Sequence, residues 1–353
     1  MEKIFKEACY ELMNYPNRNM KYRVKNLLKK ILKRGYSPAD YLNWPNGLLS
    51  LGIMEYARKN DSKEAMDILK AYFDRWIDKG SRIYFLDDAL SGETLIKLYL
   101  STGDEKYISH INKIYDYLAK ALKDSEGSLI YRPSQGNGHI LADMIGMVCP
   151  FLCLYGRTFN NPEAAQLAYT QIDNFLVNAI DSASGLPYHG YEKSKELSYG
   201  IIGWGRAVGW LMLGISGVIN YADEMLPLSK IMELKKKFYE LTRTVMNMQR
   251  ENGGFAWQLG ATKGQLDTSA TAMIYTSIVR SYTSKDISLE DKNIYANEFL
   301  PEIKKGFEFL MGFVADGKVY DCEAECLGFG MYPQIYGSYP WSVGSMLYLG
   351  SLI

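Results

Sequence analysis

Apolar side chains recur along most of this 353-residue chain at the spacing of amphipathic helices. Between residues 65 and 76, for example, they return every three or four positions and so share one helical face. Capping residues mark helix starts, as at Asn161-Pro162, where Asn suits the cap and Pro the first helical position. The pattern predicts about twelve helices. Clear apolar stripes run through 48–58, 143–155, 165–180, 207–221, 231–248, 270–282 and 303–313.

A short motif recurs between pairs of these predicted helices: a glycine, then apolar residues in extended pattern, then an aromatic residue. Its glycines are Gly127, Gly185, Gly254 and Gly317, with a fainter copy at Gly80. They lie 47 to 69 residues apart, close to one sixth of the chain. Repeats of this kind indicate one reused structural unit whose neighbours share a core. The sequence therefore predicts an all-α fold of six helical hairpins closed into a ring, with short extended segments in the inter-hairpin loops.

Composition limits the classes of protein and partner. With 47% hydrophobic residues and no Pro/Gly/Ser-rich linker, the chain is expected to form a single domain over residues 1–353. Its 40 basic and 40 acidic side chains argue against a nucleic-acid or anionic-membrane partner. The longest apolar stretches, such as 145–155, are too short to span a bilayer. The charged start and the odd number of cysteines favour a cytoplasmic protein with reduced thiols.

Two cysteine pairs stand at the helical spacing of four residues. They are Cys149 with Cys153, and Cys322 with Cys326. A metal site built on either pair needs further His or Cys ligands, and the chain has three histidines. We therefore expect no metal or cofactor, and we expect the first pair to be buried as small hydrophobic residues.

Three acidic residues interrupt apolar runs. Asp87 and Asp88 open an otherwise apolar helix, and Asp143 lies within the apolar run 140–147. Burial of an ionised carboxylate is costly, so its pKa is expected to rise. A carboxyl group of raised pKa beside a second carboxylate suits general acid–base catalysis. For Asp143, a helix N-cap is an equally good interpretation.

A tryptophan-rich stretch at 203–210 is the third candidate for chemistry. Trp204 and Trp210 offer flat faces for a sugar, and Arg206 offers a fork for a carboxylate. The alternative is that both tryptophans pack in the core and Arg206 pairs with an internal acid. His189 precedes this stretch in a motif loop. Paired carboxylates in an aromatic-rich cleft suggest a carbohydrate ligand, and Arg206 suggests an acidic sugar.

These features belong to an ordered set of motifs that covers most of the chain, from about residue 44 to residue 347. The set comprises Trp44-Pro-Asn-Gly47, Leu86-Asp87 with Gly92, Leu98 to Asp104, Ala142-Asp143-Met144, Gly185 to His189, Trp204-Gly-Arg206 with Gly209-Trp210, Gly253-Gly-Phe255 and Asp267 to Ala272. In this order the sequence resembles the unsaturated glucuronyl and rhamnogalacturonyl hydrolases, glycoside hydrolase families 88 and 105.

The resemblance implies an (α/α)6 barrel that removes a 4,5-unsaturated uronic acid from the non-reducing end of lyase-generated oligosaccharides. It implies hydration of the C4=C5 enol ether, in which Asp143 protonates C4 and then assists the attack of water on C5. Asp87 corresponds best to the family's second aspartate, with Asp88 as the alternative. No covalent intermediate, metal or cofactor is implied. The expected substrate-binding residues are Trp44, Asp88, His189, Trp204, Arg206, Trp210 and Trp341.

The segment 321–341 departs from the family pattern, because it lacks the His-Gly loop expected of pectin-degrading members. Its tyrosines and Trp341 are expected to form a different subsite, so the leaving sugar is expected to differ. Two other functions compete with the hydrolase. Sugar 2-epimerases use the same barrel but depend on several barrel histidines, of which this chain has few. The second competitor is a non-enzymatic or inactive carbohydrate-binding relative.

Overall fold

The computed structural model describes residues 1–14, 40–133, 137–222, 225–283 and 287–353. Within these ranges the chain forms thirteen α-helices, and a π-helical turn at Tyr295–Phe299 joins the eleventh to the twelfth. The helices are α1 (Glu2–Asn14), α2 (Trp44–Asn60), α3 (Lys63–Asp78), α4 (Ala89–Thr102), α5 (Ile108–Lys120), α6 (Ala142–Phe159), α7 (Pro162–Asn178), α8 (Gly205–Tyr221), α9 (Leu228–Met246), α10 (Thr268–Tyr282), α11 (Leu289–Ile294), α12 (Leu300–Met311) and α13 (Pro340–Leu352).

Six of these helices form an inner ring. Helices α2, α4, α6, α8, α10 and α13 are buried on nearly all sides, each packs against the next, and α13 returns to α2. A helix that is apolar all round belongs in a protein interior, whereas one with a single apolar stripe belongs at its surface. Helices α3, α5, α7, α9 and α12 carry such stripes and cover the ring from outside, and α1 covers α13 and α2. The predicted ring of six hairpins, an (α/α)6 barrel, is confirmed.

The recurring motif marks the loops that lead from an outer helix to the next inner helix. Gly80, Gly127, Gly185 and Gly317 have φ angles of 94°, 87°, 70° and 85°. In the remaining copy, Gly253 has the positive φ of 90°, one residue before the glycine that the motif selects. Only glycine adopts this conformation without strain, which explains why each loop turns at a glycine.

The predicted extended segments are present as short antiparallel strands in and beside these loops. Strands β1 (Ile140–Leu141), β2 (Gly190–Glu192) and β3 (Leu197–Tyr199) form one sheet, in which Ile140 lies opposite Tyr191. Two further pairs lie in the C-terminal quarter of the chain. They are β4 (Val314–Ala315) with β5 (Lys318–Val319), and β6 (Cys322–Glu323) with β7 (Tyr336–Gly337). Strand β1 leads directly into α6 and so fixes where that inner helix begins.

Glycines let the inner helices approach closely. A Cβ atom at Gly146 of α6 would lie 2.5 Å from the carbonyl oxygen of Trp210 in α8. One at Gly344 of α13 would lie 2.7 Å from the backbone of Leu48 in α2. Both distances are shorter than van der Waals contact, so a larger side chain would push the helices apart.

Charged residues also lie inside the barrel, and they are paired with one another. Lys97 Nζ is 2.8 Å from Glu55 Oε1 and 3.0 Å from Glu93 Oε1, and Arg280 Nη2 is 2.9 Å from Glu93 Oε1. Two cations therefore balance two anions, which makes their burial tolerable. No helix in the described part of the chain is long and apolar enough to cross a membrane.

Candidate active site

A cavity of about 400 Å³ opens at the end of the barrel where the inner helices begin. Residues at the starts of four inner helices line it. Trp44 is the first residue of α2, Asp87 precedes α4, Asp143 is the second residue of α6, and Trp204 and Arg206 flank the start of α8. Residues far apart in the sequence meet here because the inner helices all start at this end.

Asp143 lies inside the first turn of α6, where Leu141 is the N-cap residue. The N-cap interpretation of Asp143 is therefore wrong. Its carboxylate instead contacts His189, with Oδ2 3.1 Å from Nε2. The side chain is 19% exposed and lines the cavity, so a ligand can reach it. The positive end of the α6 dipole favours negative charge at this position.

His189 is held on all sides. Its side chain is 4% exposed, its Nδ1 lies 2.9 Å from the hydroxyl oxygen of Tyr332, and its ring packs 4.6 Å from the ring of Trp204. The backbone also ties it to α6, since the amide of Ala142 donates to the His189 carbonyl oxygen at 2.9 Å. The imidazole is thus fixed beside the carboxylate of Asp143.

The two neighbouring aspartates have different surroundings. Asp87 lines the cavity. Asp88 is fully buried beneath it, and its Oδ2 accepts a hydrogen bond of 2.7 Å from the amide of Tyr84, within the turn that precedes α4. The structure thus brings Asp87 to the site beside Asp143. It does not bring Asp88 there, although the sequence analysis placed Asp88 among the substrate-binding residues.

Burial governs the protonation of both groups. It raises the pKa of Asp87 to about 7, the charges of Asp40 and Asp143 act in the same direction, and the guanidinium of Arg132 opposes them. Burial and the charges of Asp40 and Asp87 also raise the pKa of Asp88 well above its usual value. Because these carboxyl groups interact, their protons belong to the group as a whole. The cavity therefore retains a carboxyl proton near neutral pH.

Arg206 is neutralised by internal acids. It is 2% exposed, and its Nη1 lies 3.3 Å from Asp267 Oδ2 and 3.3 Å from Glu323 Oε2. Trp204 Nε1 donates to the same Glu323 oxygen at 2.8 Å. Burial raises the pKa of Glu323 to about 7, and Arg206 opposes that rise. Pairing with internal acids, the alternative interpretation of Arg206, is thus the observed arrangement, although the residue still borders the cavity.

Three of the four tryptophans predicted to bind substrate are almost fully buried. Trp204 and Trp210 line the cavity but are each only 1% exposed. Trp341 is 3% exposed and stacks in parallel on Tyr339 at 4.6 Å, and it does not line the cavity. Trp44 is only partly buried, and its ring lies 4.9 Å from that of Trp341. The structure thus makes Trp44 the most accessible of the four rings.

Comparison with known proteins identifies the family. The model of Glycosyl Hydrolase Family 88 matches residues 17–349. The chain belongs to glycosyl hydrolase family 88. It is 24% identical over 264 residues to the unsaturated rhamnogalacturonyl hydrolase YesR of Bacillus subtilis (strain 168), an alignment that covers 73% of this chain and 76% of that protein. The expectation of a glycoside hydrolase is confirmed, and the family match gives no support to the epimerase.

Solved structures share the fold. A possible member of the GH105 family from Klebsiella pneumoniae has a TM-score of 0.79 at 17% identity, over 88% of this chain and 81% of that one. A family 105 glycoside hydrolase from C. acetobutylicum gives 0.73 at 19% identity, over 93% and 98%. The unsaturated glucuronyl hydrolase of Bacillus sp. GL1 gives 0.70 at 16% identity, over 90% and 87%.

Several residues that line the cavity of this family 88 chain escaped the sequence analysis. Arg132 is one, and its guanidinium packs over the rings of Phe85 and Tyr131 at 4.6 and 4.8 Å. No carboxylate of the described residues lies within ion-pair distance of Arg132. His139 and residues 325–329 also line the cavity. The signal for Arg132 was its position directly after the aromatic residue of a motif loop.

Metal chemistry has no obvious donor set here. In the described ranges, no group of three or more His, Cys, Asp or Glu residues is arranged to hold a metal ion. Cys149 and Cys153 are buried free thiols on α6, and burial raises the pKa of each. They behave as small core residues.

Proposed function

We propose that this family 88 chain removes a 4,5-unsaturated uronic acid from the non-reducing end of lyase-generated oligosaccharides. The observation that carries the proposal is the pair of carboxyl groups, Asp87 and Asp143, in one cavity of about 400 Å³. That volume lies in the usual range of small-molecule binding sites. The names of the B. subtilis relative and of the Bacillus sp. GL1 structure, both unsaturated uronyl hydrolases, support the same reaction.

Asp143 is the proposed general acid and base. It donates a proton to C4 of the enol ether and then takes a proton from the water that attacks C5. The sum is addition of one water molecule across the double bond, and the resulting hemiketal opens and releases the neighbouring sugar. The partial exposure of Asp143 and its fixed contact with His189 suit a group that must reach the substrate in one orientation.

Asp87 is the proposed second carboxyl group. Protonation of carbon needs an acid that is neutral before the reaction. The raised pKa of Asp87 keeps one proton within the interacting pair near neutral pH, from where it is available to Asp143. One residue that gives and then regains a proton differs from the two-carboxylate displacement at the anomeric carbon that most glycosidases use.

The carboxylate of the substrate is assigned to Arg132. A buried cation that already has two carboxylate partners, as Arg206 has, gains little from a third. Arg132 lines the cavity and lacks such a partner among the described residues, and its Nε is buried without a hydrogen bond. A guanidinium in this state is a suitable receptor for a carboxylate. Trp44 supplies an accessible ring beside it for the sugar face.

Domain organisation and location follow from other features. We propose that residues 1–353 form one domain, since α1 covers the junction between the last inner helix, α13, and the first, α2. All five cysteines are free thiols, and four of them are buried. Unpaired cysteines are typical of a reducing compartment. A cytoplasmic location is therefore proposed, where imported unsaturated oligosaccharides would be cleaved.

The test is loss of the ultraviolet absorbance of the enol ether in a panel of unsaturated disaccharides made by different lyases. The panel includes unsaturated galacturonyl-rhamnose and unsaturated glucuronyl conjugates. We expect the wild-type protein to consume at least one of them. Asp143→Asn is expected to lower kcat by about 10²- to 10⁴-fold, because the amide cannot donate and regain the proton.

Asp173→Asn is the matched control, since Asp173 lies on the outer helix α7 and its side chain is 38% exposed. It should keep the wild-type rate. A flat absorbance trace across the whole panel would contradict the proposed reaction. Wild-type turnover by folded Asp143→Asn would instead remove Asp143 from the mechanism.

A further inference from the structure

Tyr332 lies in the segment 321–341, where the chain departs from the family pattern, and its hydroxyl reaches the side of His189 that faces away from Asp143. The hydroxyl oxygen is 2.9 Å from His189 Nδ1 and 3.2 Å from the backbone nitrogen of Ile201. The tyrosine ring packs against Trp204, with the ring centroids 5.3 Å apart. These contacts fix the hydroxyl in one place.

The directions of the hydrogen bonds follow from which groups can donate. The amide of Ile201 can only donate, so the oxygen of Tyr332 accepts from it. In the described part of the chain, His189 Nδ1 is then the acceptor within reach of the tyrosine proton. A neutral imidazole carries one N–H, which must therefore sit on Nε2. Nε2 lies 3.1 Å from Asp143 Oδ2 and donates to it.

We propose that Tyr332 is a positioning residue: it holds His189 in the Nε2–H tautomer, so that Asp143 Oδ2 stays an acceptor and the catalytic proton is carried on Oδ1. The proposal rests on the acid–base role proposed for Asp143. It specifies which oxygen of the Asp143 carboxyl group acts. It also gives the segment 321–341 a part in the reaction, in addition to the subsite expected there.

The opposite tautomer is disfavoured by the same contacts. With the proton on Nδ1, the oxygen of Tyr332 would accept from both His189 and Ile201. Its own proton would then have no acceptor among these contacts. The hydrogen bond that this hydroxyl would lose is worth about 0.5–1.5 kcal/mol. His189 is itself 3% exposed, so solvent does not relieve an unpaired ring nitrogen.

The tautomer matters because it decides where the acid points. If Nε2 were unprotonated, the proton of Asp143 would sit on Oδ2 and be donated to His189 instead of the substrate. With Nε2 protonated, Oδ2 is occupied as an acceptor. Oδ1 gives its proton to C4 and then takes one from the attacking water. The imidazole exchanges no proton in this scheme, so proton and charge balance within Asp143, the substrate and water.

Nitrogen-15 NMR of histidine-labelled protein tests the assignment directly, because the chain has three histidines and His189→Gln identifies the signal. In the wild-type protein we expect His189 to carry its proton on Nε2 alone. In Tyr332→Phe, which loses one hydroxyl, we expect the Nδ1–H tautomer to appear. The same variant should lose kcat by about 10- to 100-fold, as removal of an orienting partner does elsewhere, while KM changes little.

Tyr336→Phe is the matched control from the same segment, since the Tyr336 hydroxyl donates to Gln334 and has no contact with His189. It should leave the tautomer of His189 unchanged. A wild-type His189 protonated on Nδ1 would overturn the proposal. If the wild-type protein is active, a Tyr332→Phe variant in which only the tautomer or only kcat changes would also overturn it.

The NMR measurement needs no substrate, so it separates this proposal from the proposed function. A tautomer change in Tyr332→Phe, together with a wild-type protein that is inactive on the whole saccharide panel, would overturn the proposed function and leave the role of Tyr332 toward His189 standing. A wild-type protein that is active but has the Nδ1–H tautomer would overturn the role of Tyr332 and leave the proposed function standing.

Discussion

Replacement of Asp87 by asparagine should change how the stability of the protein depends on pH. Burial raises the pKa of Asp87 from 3.8 to about 7 in the folded state, whereas the unfolded chain exposes the group. The folded state therefore binds a proton that the unfolded state has lost between these two values. Asp87 favours folding below pH 4, and this contribution is lost as the pH rises through 7.

The size of the effect follows from the interval between the two pKa values. One pH unit of this interval is worth about 1.36 kcal/mol, so the whole interval corresponds to about 4 kcal/mol for a group that titrates alone. Asparagine has nearly the same shape and no charge. We therefore expect the stability of Asp87→Asn, relative to the wild-type protein, to rise by up to about 4 kcal/mol between pH 4 and pH 8.

The assay is urea unfolding followed by circular dichroism from pH 4 to pH 8, with the free energy of unfolding extrapolated to water. Asp116→Asn is the control, because Asp116 lies on the outer helix α5 and its side chain is 60% exposed. It should track the wild-type protein at every pH. Parallel curves for Asp87→Asn and the wild-type protein would refute the argument that burial keeps Asp87 protonated.

Two further predictions concern packing and binding. Gly344→Ala should lower the free energy of unfolding, measured by urea unfolding, by about 1–3 kcal/mol, because the added Cβ would press on the backbone of Leu48. An unchanged midpoint of the urea transition would contradict the close packing of α13 on α2. Arg132→Gln should raise KM on the disaccharide that the protein consumes by at least about 10-fold, since a charge-assisted hydrogen bond is worth about 1.5–3 kcal/mol. Arg58→Gln, far from the cavity on α2, is its control, and equal KM values would remove Arg132 as the carboxylate receptor.

The helical ring was predictable from sequence because its signals are local. Apolar periodicity and caps locate the helices, and the turning glycines recur at each outer-to-inner loop, as at Gly127 and Gly185. The fourth motif shows the limit of this reasoning. Two adjacent glycines stand there, and the pattern selects Gly254, whereas the backbone turns at Gly253. A motif predicts which loop contains the turn. Local packing determines which residue of that loop adopts the positive φ.

The site was predictable in part. Asp143 and Asp87 stand out because a polar residue in an apolar run needs a reason. His189 stands out because it lies in a motif loop, and all three residues line the cavity. Arg206 and Trp341 stand out in the sequence as well. The groups that bind Arg206 lie 61 to 118 residues away in the sequence, and Trp341 contacts both its near neighbour Tyr339 and the distant Trp44. A sequence shows that a charge or ring is present. It does not show whether a distant Glu323 has already satisfied it.

The contrast between two sets of buried charges explains where the chemistry of this barrel is expected. Lys97 and Arg280 compensate Glu55 and Glu93 inside the ring, so that set is neutral and has no reason to change protonation. At the other set, Oδ1 of Asp87 is buried and no described residue donates to it. Burial of an acid without a full set of partners keeps it protonated at a cost to stability, and such costs persist where they serve a reaction. The inner helices of the family 88 barrel thus enclose a compensated ion cluster in the interior and place an incompletely satisfied carboxyl group, Asp87, at their N-terminal end, where we expect the proton for the substrate to be held.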